Sequence, residues 1–114
     1  MFCFDVYVNG EKLCRAGMKD LLVLDCMLVW VKPVDSEDEM TLSVGGLYEP
    51  PTGGNAHPRW VERMNLQVGD EVTIRLVNSD VADEPTSETV STPEWIREQE
   101  KKYFEHVKAK FEDE

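Results

Sequence analysis

Cations are scarce in this chain. Twelve Lys and Arg stand against 23 Asp and Glu in 114 residues, a formal charge of −11. No lysine occurs between Pro33 and Lys101. Nucleic acid and anionic membranes are held by clustered Lys and Arg that displace counterions, so neither is an expected partner. The charge permits a basic protein partner, beside its plain effect of keeping a small protein soluble.

Metal-binding and redox residues are equally sparse. The two histidines, His57 and His106, and the three cysteines, Cys3, Cys14 and Cys26, show no C-x2-C or H-x3-H spacing, which a zinc site would require. An odd cysteine count without C-x-x-C excludes a disulfide scaffold and fits free thiols in a cytoplasm. The opening MFCFDVYVNG has neither the basic nor the long apolar region of a signal peptide. The longest apolar run, LLVLDCMLVWV (Leu21 to Val31), is interrupted by Asp25 and falls far short of the ~20 residues that span a bilayer. The acidic clusters Asp35 to Glu39 and Asp80 to Glu84 lack the D-x-[DN]-x-[DN]-G pattern that wraps calcium. No metal and no cofactor is expected.

Recognised catalytic loops are absent too. The segment GGLYEPPTGGNAHPRW (Gly45 to Trp60) is rich in glycine, but it has no lysine and no G-x-x-x-x-G-K-[ST], so it is not a phosphate cradle. There is no G-x-G-x-x-G, no G-x-S-x-G and no cysteine-protease signature. Glu49 to Pro58 reads as a hairpin loop whose turn chemistry comes from PPTGGN.

What the sequence does hold is strand pattern. Phe2, Phe4, Val6 and Val8 alternate with Cys3, Asp5 and Tyr7, the period of a half-buried strand. Asn9-Gly10 then signals a two-residue hairpin turn, pairing Val8 with Glu11, Val6 with Leu13 and Asp5 with Cys14. Gly17 ends the second strand. Leu21 to Val31 is apolar on both parities, the pattern of a central strand covered on both faces, with a buried helix as the alternative. Pro33 stops it. Met40 to Tyr48 is a fourth strand, where Gly45-Gly46 marks a bulge, bend or close approach. Arg59 to Leu66 is a fifth, and Val72, Ile74 and Leu76 define a half-buried sixth after a turn at Gly69-Asp70.

The end reads as a helix. It opens at a capping box from Ser91 to Glu94, or with Thr92 as N-cap and Pro93 at the first position. Trp95, Ile96, Tyr103, Phe104, Val107 and Phe111 form one apolar stripe. The expected fold is mainly β (α+β), an antiparallel sheet forming a sandwich or partly open barrel of about five to seven strands, with one long C-terminal helix packed on it. It is a single domain over 1–114: a β-rich body at 1–77, an acidic irregular linker at 78–91 and the helix at 92–112.

Candidate binding residues are Tyr48, His57, Arg59 and Trp60, set where a loop re-enters the sheet. Asp25 is the one charge in the most apolar strand and a candidate pocket carboxylate. His57 beside Asp25 or Glu49 would suit a small hydrolase or isomerase. No residue is assigned as catalytic, because geometry and not residue type makes such a site.

The combination YVNGEKLCRAG, LSVGGL, RW and LQVGDEVTIRLV resembles a loose group of small uncharacterised bacterial proteins, sharing VNGxKLCxAG, GGL, RW and LxVGDEVTI over the first three-quarters of the chain. The resemblance implies no activity and does not include the helix. The expected function is that of a non-enzymatic protein-binding or accessory module in the cytoplasm, with a basic partner to neutralise as one version. The alternatives are the small hydrolase or isomerase and a self-associating structural protein. Monomer and homodimer are both compatible with the sequence.

Overall fold

The computed structural model describes residues 1–112, with side chains described through Lys108. Seven strands precede one helix: β1 (Phe2–Val8), β2 (Glu11–Ala16), β3 (Val23–Val31), β4 (Glu39–Leu47), β5 (Asn55–Leu66), β6 (Val72–Asn78), β7 (Ser87–Ser91) and α1 (Pro93–Glu112). They form two antiparallel sheets, ordered β2-β1-β6 and β3-β4-β5-β7. The run Leu21 to Val31 therefore forms a strand over Val23–Val31 and not a helix. Among the described residues the sheets form an open sandwich and do not close into a barrel.

The Asn9-Gly10 hairpin forms as its turn chemistry dictates, with both residues at positive φ, 52° and 82°. Its register then departs from the expected one. A bulge follows Tyr7↔Lys12, so Val6 faces Cys14 and Asp5 faces Arg15. Leu13 is displaced outward and is exposed. The shift puts Cys14 and Ala16 into the core and sets a guanidinium against a buried carboxylate. The hairpin tip is clamped to the β5–β6 turn: the Asn9 amide donates to Asp70 (3.0 Å), and the Glu71 N–H donates to the Asn9 side-chain oxygen (2.9 Å).

The core lies between the sheets. Val6, Val8, Cys14 and Ala16 from the first meet Leu42, Val44 and Trp60 from the second. On the outer side of the first sheet, Asp5 is 4% exposed and takes two hydrogen bonds from the Arg15 guanidinium, at 2.7 and 3.0 Å. Lys12 lies 3.6 Å away.

Three expectations need correction. The loop before β5 is shorter than the sequence suggested, because Asn55 to Pro58 already pair with β7. The acidic segment 78–91 is not irregular throughout. It contains β7, and its earlier part is a tied strap: the Asp83 N–H donates to the Arg15 carbonyl (2.9 Å), and the Arg15 N–H donates to the Asp83 carboxylate (2.7 Å). The helix is also not packed on the sheet along most of its described apolar stripe, although Ile96 and Val107 are half-buried. Trp95, Tyr103 and Phe104 are exposed, and Phe111 lies outside the described side chains. Thr92 caps α1 through its hydroxyl, which accepts from the Trp95 N–H at 3.2 Å, with Pro93 at the first helical position. With only Thr92 between β7 and α1, the helix has no slack to fold back over the sheet.

Candidate functional site

Pairing fixes where the candidate residues stand. Asp25, Gly45, Arg59 and Ser87 form one row across the second sheet. His57 lies beside Thr89 in the next row, on the same outward face. At Gly45 a Cβ would stand 3.0 Å from the Pro58 carbonyl oxygen and in ordinary contact, 3.6 Å, with Arg59 Cγ. Asp25 and Arg59 thus share an outer face, with their strands two spacings apart, about 10 Å.

The other two candidates belong to the opposite face. Tyr48 bridges to Ala56, and a hydrogen bond to Glu88, aided by partial burial, holds its phenol above the ordinary range. Trp60 is a core residue, 4% exposed, whose indole N–H donates to the Asp83 carbonyl at 2.7 Å. It anchors the acidic strap from beneath. The four binding candidates therefore do not converge on one point. Among the described residues, no hydrogen bond or ion pair joins His57 to Asp25 or Glu49.

Four clefts formed by the described residues lie elsewhere, and none of the four is lined by Asp25, Tyr48, His57, Arg59 or Trp60. One, of about 310 Å³, opens between Leu28, Trp30, Met40 and Leu66 on one side and Val68 and Val72 on the other. It is the mouth of a larger feature. β3 is an edge strand, not the central strand its composition suggested. Leu28 and Trp30 share the core-facing side with Leu42 and Met40, their β4 partners, yet each is 61% exposed. Ile74 and Leu76 pair with Val6 and Phe4 on the core-facing side of the first sheet, yet are 40% and 66% exposed. The sandwich is open along its β3/β6 side.

The outer side of β3 is uncovered as well: Val23, Met27, Val29 and Val31 are all exposed. β3 thus leaves large apolar side chains exposed on both of its faces. Sequence reasoning missed this exposure because apolar residues on both parities mean burial on both faces, and nothing in the pattern says whether the covering belongs to the same chain. Among the described residues there is no group of His, Cys, Asp and Glu that could hold a metal ion. No described helix is long and apolar enough to cross a membrane.

Compared with known protein families, with curated proteins and with solved structures, the chain matches none.

Proposed function

We propose that this chain is a non-enzymatic protein-docking module whose docking surface is the open β3/β6 side of the sandwich. One observation carries the reading: the nine residues of β3 include six large apolar side chains left exposed, on both faces of the strand. Burial of such side chains is worth about 1.5–3 kcal/mol each when complete, so an apolar polypeptide surface placed there gains substantially. The free N–H and C=O groups of the edge add a template for an incoming strand.

The hydrolase or isomerase reading has less support, since it needs His57 and a carboxylate in one concavity. His57 stands instead on an outward sheet face, with Asp25 two strands away. A photocrosslinking residue separates the two. Placed at Leu28 it is expected to give a discrete protein adduct in cells, and placed at His57 none. Adducts from His57 with none from Leu28 would overturn the docking reading.

A further inference from the structure

The four sheet edges are treated very differently. β2 is short and is tied near its end to the strap, through the paired Arg15 and Asp83 bonds. β7 is short and polar, SETVS. β6 carries Arg75 at its middle, with the guanidinium carbon 5.4 Å from the Tyr7 ring centre. β3 has no such protection. It is nine residues long, VLDCMLVWV, with no proline and no register break against β4. Its single charge, Asp25, lies off-centre on the outer face. Long, regular, apolar edges of this kind pair with another strand unless something blocks them.

We infer that the occupant of this edge is a second copy of the chain, joined by antiparallel β3–β3 pairing about a two-fold axis at Met27. This rests on the docking reading above and names its partner. Three features favour a twin. A two-fold interface needs a self-complementary patch, and pairing about the strand midpoint supplies one. Met27 then faces its mate, Leu28 faces Cys26, Trp30 faces Leu24 and Val31 faces Val23, so nearly every cross-strand pair is apolar. Asp25 falls opposite Val29. The two Asp25 residues are thereby offset by four residues along the strand, about 13 Å, beyond the ~8 Å screening length of physiological salt.

The exposed apolar area sets an upper bound on what such a pair can bury. Six exposed apolar side chains on β3, with Ile74 and Leu76 beside them, are each about half exposed. At roughly 60–120 Å² per full side chain, they offer roughly 240–480 Å² of apolar surface per copy. A standard interface takes about 800 Å² from each partner, somewhat over half of it apolar.

The test is sedimentation velocity on the full chain from low to high micromolar concentration, with two variants. The wild type is expected to reach twice the 13.1 kDa chain mass, and Leu28→Lys to remain monomeric with an unchanged far-ultraviolet spectrum. Met27→Cys in a Cys26→Ser background is expected to form an intermolecular disulfide under mild oxidation, while Val34→Cys, on the loop beyond β3, does not. A dimer that survives Leu28→Lys and does not crosslink through position 27 overturns the β3 interface. A monomer at every concentration overturns the twin as occupant. Acrylamide quenching of Trp30, read as the difference between Trp95→Phe and Trp30→Phe/Trp95→Phe, then decides the broader reading. An open Trp30 in that monomer leaves protein docking standing with a foreign partner, and a shielded Trp30 overturns both.

Discussion

Asp5 and the three cysteines show how position sets the chemistry of single residues here. The Arg15 hydrogen bonds hold the Asp5 carboxyl below its ordinary pKa, against the opposing effect of burial, with added attraction from the charges of Arg15 and Lys12. A carboxyl whose folded pKa is depressed contributes stability that is present above its unfolded pKa, about 3.9, and is lost as pH falls through the folded value. Asp5→Asn is therefore expected to lower the melting temperature at neutral pH by several degrees. The difference from wild type should shrink as the pH drops below about 4, which thermal melts across an acid series would read. Burial, followed by the nearby Asp83, pushes the Cys14 thiol up to about 11, and Cys3 is fully buried. Cys26 is only half-buried. One thiol, Cys26, is expected to react with a disulfide reagent ahead of the other two. Its rate should fall as protein concentration rises, because Leu28 of a second copy would cover it. A concentration-independent rate for Cys26 would count against the twin.

At the scale of elements, the attachment of β3 and the freedom of α1 are set by small details. Gly46 pairs with Leu24 at the start of β3: a Cβ there would stand 2.5 Å from the Val23 carbonyl oxygen and 2.9 Å from Leu21 Cδ2. Gly46→Ala must push the start of β3 away, at a cost of about 1–3 kcal/mol. Chemical denaturation should show that loss, and hydrogen exchange should show it centred on Val23 and Leu24. The helix depends on its own ends more than on packing. It has the Thr92 cap and the Glu98–Lys102 pair at 3.7 Å, while its aromatic stripe is exposed. Most helical stability in proteins comes from packing of an apolar face, and Trp95, Tyr103 and Phe104 do not pack here. Thr92→Ala is thus expected to reduce helical ellipticity measurably while leaving the strand amides of the body equally protected from exchange. Equal ellipticity in the variant would mean that the helix is held by packing after all.

For the whole molecule, shape and charge act together. The chain measures 55 × 45 × 19 Å with a radius of gyration of 18.2 Å, against about 13 Å for a compact domain of similar length. Two layers, a projecting helix and an unclosed side produce that extension. The charge of −11 gives the two kinds of protein partner opposite salt dependence. Like-charged copies repel at long range, so added salt should strengthen self-association; a basic partner would be held more weakly as salt rises. Sedimentation across a salt series is expected to show tighter dimers at higher salt. A dimer that dissociates on adding salt would contradict apolar β3 pairing.

The periodic elements were legible without coordinates because their signals are local. Alternation from Phe2 to Val8, the Asn9-Gly10 turn and the Thr92-Pro93 helix start each depend on neighbours a few residues away. By itself the sequence determined the mainly β class, the C-terminal helix and the absence of recognised catalytic and metal motifs. The tertiary structure decided what depends on distant partners. It placed Trp60 in the core under the acidic strap, separated His57 and Arg59 from Tyr48 on opposite faces, and moved Leu21 to Val31 from the centre of a sheet to its edge. An apolar strand carries the same pattern whether its cover is its own chain or another, because hydrophobic burial is non-directional; only the strand order distinguishes the two.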